Sequence, residues 1–172
     1  VKISVQKLTL MAMLVAIGTI CSHLFYIPAG VAKAFPVQHA INVMAGVMLG
    51  PIPAVIVAFS IGLLRNLFGI GSLLAFPGGM IGAFLAGYLY QKGRKYTFAL
   101  IGEWVGTGII GAIIAVPIAS IFLASKTGAF FFITPFLVSS LVGGVIGWGV
   151  LRILHKNAAA KNWLGSNEEK SL

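Results

Sequence analysis

Acidic side chains are almost absent from this chain. Only three of its 172 residues are Asp or Glu, and two of these, Glu168 and Glu169, lie at the extreme C-terminus. Glu103 is left alone in the body of the sequence. Charged residues make up 9% of the chain, against roughly 25% in soluble domains. Intramembrane hydrolases and transferases need clustered acids, histidines or metal ligands. One Glu with His23, His39 and His155 scattered along the chain supplies no such cluster, so neither a catalytic set nor a metal site is predicted. Cys21 has no partner for an intramolecular disulfide, and Ile20 before it is too large for a lipoprotein acylation site. No G-x-x-x-x-G-K-S/T loop occurs, so any ATP chemistry has to come from another chain.

What is present is apolar sequence of helix length. The chain is 59% hydrophobic with a mean hydropathy of +1.02. A bilayer span takes about 20 apolar residues, so six spans with short loops consume nearly all of it. The prediction is an all-α integral membrane protein. One six-helix transmembrane domain fills residues 1–156, and residues 157–172 form a mobile cytoplasmic tail. The spans are placed at Lys7–Tyr26, Pro36–Gly50, Pro53–Phe68, Phe76–Gln91, Thr97–Ala124 and Phe130–His155. The first apolar run has no convincing small-x-small cleavage site and is read as a retained span. Gly50-Pro51-Ile52-Pro53 breaks the short second and third spans, which keeps a five-span chain with a re-entrant hairpin as the competing count.

The net charge of +9 sits at helix ends rather than along one stripe, so it reads as membrane orientation and not as a nucleic-acid surface. With the N-terminus inside, nine cations fall inside (Lys2, Lys7, Lys92, Arg94, Lys95, Arg152, Lys156, Lys161, Lys170) and three outside (Lys33, Arg65, Lys126). Both termini are therefore expected in the cytoplasm. Small residues recur at four-residue spacing in Ala12/Ala16, Gly78/Gly82, Ala83/Gly87, Gly102/Gly106 and Gly143/Gly147. Such pairs let helix backbones approach closely where lipid gives no hydrophobic drive. Packing within the bundle explains most of them, with Ala12 and Ala16 set aside for a partner protein.

The remaining polar residues are few. Ile27 to Pro36 is too apolar for a solvated linker, and its prolines and glycine exclude a regular helix. A lid folded over the bundle is expected there, with Lys33, Ala34 and Pro36 in it. Next come Gln38, His39 and Asn42, which share a helix face. They are read either as ligand contacts or as helix–helix hydrogen bonds, with Asn42 about 8–9 Å below Pro36 in the outer third of the membrane. Phe35 and Phe76 are read either as candidates for stacking on a flat ring or as ordinary lipid-facing or core aromatics. Arg65 ends the third span and either snorkels to the interface or holds a carboxylate or the following loop. Glu103 has three readings: ligand contact, internal pair, or contact to a partner subunit. Trp104 marks the interface. Thr134, Ser139 and Ser140 offer hydroxyls that commonly bond their own helix.

Taken together, Ala12-x-x-x-Ala16, the six short spans and the missing ATPase resemble the S components of energy-coupling-factor vitamin transporters. Four stretches are similar to the ThiW type: Ala34-Phe-Pro-Val-Gln-His-Ala-Ile-Asn42, Leu64-Arg-Asn-Leu-Phe-Gly-Ile-Gly71, Phe76-Pro-Gly-Gly-Met-Ile-Gly82 and Gly102-Glu-Trp-Val-Gly-Thr-Gly108. The resemblance spans residues from about 7 to 155. It implies a multi-pass protein of the bacterial plasma membrane that binds 4-methyl-5-(2-hydroxyethyl)thiazole, a thiamin precursor, from outside. It also implies a transmembrane coupling subunit, docked on Ala12 and Ala16, and two cytosolic ATPases. ATP is used there, and no cofactor is expected in this chain. Carried onto this sequence, Gln38, His39 and Asn42 hydrogen-bond the ligand, Phe35 or Phe76 packs on its ring, and Glu103 is a further contact. The rivals are an S component for hydroxymethylpyrimidine, whose amino group wants the acid of Glu103, and an intramembrane enzyme. A channel needs a polar stripe along a whole helix, which is not found.

Overall fold

In the computed structural model, residues 4–29, 32–122 and 129–157 are described. Lys2, Ala124, Lys126, Lys161, Lys170 and the tail from residue 158 onward lie outside them. Ser4 caps α1 (Val5–Leu24), its hydroxyl accepting from the Lys7 amide at 3.3 Å. A short antiparallel hairpin follows, β1 (Ile27–Ala29) and β2 (Ala32–Ala34), with Ile27 opposite Ala34. Pro36 then opens α2 (Pro36–Leu49), where its missing N–H costs nothing. Gly50, at φ +88°, makes a turn that a residue with a Cβ resists, and Pro51 opens α3 (Pro51–Leu67). Next come α4 (Ala75–Gly93), α5 (Tyr96–Phe122) and α6 (Ala129–Lys156). Every helix begins and ends within a residue or two of its predicted span, because Pro, Gly and the cationic clusters punctuate the sequence so sharply.

Among the described residues, α1, α5 and the Phe131–Lys156 part of α6 are long and apolar enough to cross a membrane, and α3 is a shorter apolar helix. At 14 residues α2 rises about 21 Å, short of the roughly 30 Å of a hydrocarbon core. The outside of the bundle is apolar on every helix but α2, with Ile17, Ile56, Phe84, Ile109 and Val145 all exposed. A surface of that kind faces lipid.

The short α2 is the axis of the bundle. It packs against α1, α3, α4, α5 and α6, while α1 leans only on α2 and α3 among the principal contacts. Glycine makes this packing possible. A Cβ on Gly46 would lie 2.7 Å from the Gly87 amide, and one on Gly106 would lie 2.6 Å from the Gly82 Cα. One on Gly147 would lie 2.6 Å from the Ala40 carbonyl, and one on Gly143 would lie 2.8 Å from the His39 Cβ. Four of the five predicted small-residue pairs thus lie at helix contacts or in the core, whereas Ala12 and Ala16 are exposed on the free side of α1.

The same contacts correct one expectation. Pro36 sits beside Gly143, fourteen residues into α6, so α2 begins about 20 Å below the start of α6. The hairpin fills the space above it, packed on α6. Asn42, about 9 Å further along α2, therefore lies roughly two-thirds of the way down α6, not in the outer third of the bundle.

Candidate functional site

The overhang of α5 and α6 above the short α2 leaves a cavity of about 440 Å³. Lys33 and Phe35 line it from the hairpin side, Gln38 and His39 from α2, and Arg65 from α3. Gly78 and Gly79 of α4 and Thr107 of α5 complete the floor. Phe131, Phe132, Pro135, Phe136 and Ser139 of α6 form an aromatic wall. The hairpin is anchored where the Phe35 amide donates to Ser139 Oγ at 3.0 Å.

Behind the floor lies a buried polar cluster. Glu103 is fully buried, and three groups converge on its Oε1: His39 Nδ1 at 2.7 Å, the Thr107 hydroxyl at 2.8 Å and Asn42 Nδ2 at 3.2 Å. Asn42 Nδ2 also donates to the Gly79 carbonyl at 3.1 Å, and the Thr107 hydroxyl lies 2.9 Å from the Gly78 carbonyl. Residues 104–111 of α5 are wound as a π-helix. Such wide turns are frequent at functional sites, and this one holds Thr107 and Glu103 on a single carboxylate oxygen. Glu103 Oε2 has no partner among the described residues and faces Gly82, where a Cβ would lie 2.7 Å away. A carboxylate accepts, so Nδ1 of His39 carries the proton and donates. His39 lines the cavity, and its other ring nitrogen, Nε2, is not used by the cluster.

Of the two readings of Arg65, the structure takes the second, in which it fixes the loop that follows. It does not snorkel: it is only 2% exposed. Its guanidinium lies over the Phe35 ring, 3.9 Å from the centroid, and Nη1 donates to Gln38 Oε1. Its backbone carbonyl accepts from the amides of Ile70 and Gly71, each at 2.9 Å, folding the α3–α4 loop against the cavity. A lone Arg at the end of an apolar helix carries no sign of depth in sequence. The signal was Phe35 and Gln38, thirty residues away.

The other predicted residues fall into two groups. Phe35, Gln38, His39 and Lys33 line the cavity, while Asn42 and Glu103 lie behind its floor. Ala34 and Pro36 are buried at the root of the lid. Phe76 is not among the lining residues. Its ring packs on Phe59 at 5.6 Å between centroids and lies against Gly62, so the ring that faces the cavity from that end is Phe136 instead. Trp104 donates to the Ser140 carbonyl at 3.1 Å and ties α5 to α6 rather than marking an interface. The Ser140 hydroxyl bonds its own helix at Leu137, and Thr134 is exposed, leaving Ser139 as the useful one of the three.

A helical bundle with an apolar exterior and a part-open, ligand-sized cavity defines an all-α membrane protein with room for a small molecule. The model of one family, described as thiamine-precursor transporter protein (ThiW), matches residues 8–157. The chain belongs to that family, and its place is in thiamine-precursor transport. No curated protein matches it.

Proposed function

We propose that this chain is the substrate-binding S component of an energy-coupling-factor importer, and that its precursor is the thiazole half of thiamin, 4-methyl-5-(2-hydroxyethyl)thiazole. The observation that carries the reading is the cavity under the hairpin. Its volume of about 440 Å³ suits a single small ring, its wall is aromatic, and its polar groups converge from Gln38, His39, Arg65 and Ser139. The ring stacks against Phe132 or Phe136, and the hydroxyl donates to His39 Nε2. The six-helix bundle sits in the bacterial plasma membrane with the short α2 inside it and both termini in the cytoplasm, and the ligand enters from the outer, hairpin end. A coupling subunit docks on exposed Ala12 and Ala16, and two ATPases power release inward.

Hydroxymethylpyrimidine is the weaker alternative. Its amino group calls for an acid, and Glu103 has its Oε1 committed to His39, Asn42 and Thr107 behind the wall. Calorimetric titration of the detergent-purified protein with hydroxyethylthiazole, hydroxymethylpyrimidine and thiamin tests the proposal. Tight one-to-one binding of the thiazole is expected. Selective binding of the pyrimidine would replace the substrate, and binding of none would remove the cavity from the argument.

A further inference from the structure

The geometry points to a ligand whose side chain ends in an anion, a carboxylate or a phosphate ester, seated on Arg65. This rests on the proposed binding of a thiazole in the cavity and replaces its neutral hydroxyethyl terminus with an anionic one.

Arg65 is a buried cation without a counter-charge. Its two partners, the Gln38 carbonyl and the Phe35 ring, are neutral, and its Nε has no acceptor among the described residues. Glu103 is the one carboxylate among those residues. Its Oε1 is taken up by His39, Asn42 and Thr107, and its free Oε2 is turned to Gly82. Among the described residues, the other Lys or Arg on the cavity wall is a second cation, Lys33, at the lid. Burying an unpaired guanidinium is strongly unfavourable. Here Phe35 and Gln38 hold it in place instead of letting it reach water. Of its five N–H donors one is taken by Gln38, and the fork that remains matches two oxygens of a carboxylate or phosphate. A neutral alcohol could satisfy His39 but would leave the charge of Arg65 uncompensated. An anion compensates it, and Lys33 lies at the mouth to draw the anion in.

The test is titration of the full chain in detergent with four probes: 4-methyl-5-(2-hydroxyethyl)thiazole, its phosphate ester, 4-methylthiazole-5-acetate, and a pyrimidine carboxylate. At least one anionic thiazole should bind ten-fold or more tightly than the alcohol, and the better of the two identifies which anion the site takes. Arg65→Gln should abolish that preference and Arg65→Lys should keep part of it. Lys33→Gln, at the exposed lid, should reduce it two- to five-fold, which preserves a variant test if Arg65→Gln fails to fold. An alcohol that binds as tightly as both anions overturns the inference and leaves the thiazole reading intact. Arg65-dependent binding of the pyrimidine carboxylate with no thiazole bound keeps the anion and discards the thiazole. Binding of no probe discards both.

Discussion

Glu103 offers the sharpest test of how the buried cluster works, because its charge and its oxygen can be removed separately. If it acts by holding His39, what matters is an acceptor at Oε1. Asn42 keeps its bond to the Gly79 carbonyl and the single Thr107 hydroxyl proton has the Gly78 carbonyl as its other acceptor, so only His39 loses its protein partner when the carboxylate is deleted. Hydrogen bonds to charged groups are worth about 1.5–3 kcal/mol. Glu103→Ala also relieves a buried carboxylate whose second oxygen has no partner, a gain of similar size, so the melting temperature should change little. The ring of His39 is then free to turn or to change tautomer, and loss of its ligand bond weakens binding by about 1–2 kcal/mol, roughly 5- to 30-fold. Glu103→Gln keeps an acceptor oxygen for Nδ1 and should restore affinity to within about three-fold of the native protein. The readouts are calorimetric affinity for the thiazole and the melting temperature of both variants in the same detergent. If Gln were as damaging as Ala, the negative charge itself would be the ligand contact, and the positioning argument would fail.

The same geometry separates neighbours that look alike in sequence. His39→Ala should weaken binding by about 1–3 kcal/mol, whereas Asn42→Ala, behind the floor, should lower the melting temperature more than the affinity; paired titration and thermal denaturation distinguish them. Gly82→Ala drives a methyl into Thr107 Oγ1 and toward Glu103 Oε2, and overpacking of this kind costs about 1–3 kcal/mol. Gly149→Ala, with nothing within 4 Å of the new methyl, should be neutral or stabilising by up to about 1 kcal/mol, and equal melting temperatures for the two would contradict the packing. Ala12→Leu with Ala16→Leu should leave ligand binding unchanged but reduce co-purification with the coupling subunit, since both residues are exposed on α1.

Helix boundaries were legible because they are set locally. Pro36, Pro51 and the Lys92–Lys95 cluster stop or start helices whatever the rest of the chain does. Gln38, His39 and Asn42 stood out for a similar reason, as three polar groups within two turns of an apolar helix. Depth was not legible. It depends on how α2 slides along α6, and that is decided by Gly143 and Gly147 meeting Pro36 and Ala40 from over a hundred residues away. The choice between the two readings of Arg65 has the same origin: snorkelling suits a lone Arg at a free helix end, but here Phe35 and Gln38 of the preceding elements close over it. Phe76 failed for want of a direction. Its spacing places it near the cavity, and only Phe59 and Gly62 reveal that the ring turns away.

The glycines and the buried polar groups are two parts of one solution. Glu103 can be kept inside an apolar bundle only if donors reach it without a shell of water, and donors from α2 and α5 reach one oxygen only if the backbones of α2, α4 and α5 nearly touch. Gly82 and Gly106 provide that approach between α4 and α5, and Gly46 and Gly87 provide it between α2 and α4. With the helices so close, the polar side chains at their contact are held by packing before any ligand arrives. His39 and Arg65 are therefore fixed by opposite means. His39 is held by a charge it is bonded to, and Arg65 by neutral groups that leave its charge unmet. The first is complete in the empty protein. The second is completed by whatever enters, so the binding energy for an anion should be concentrated at Arg65 rather than spread over the wall.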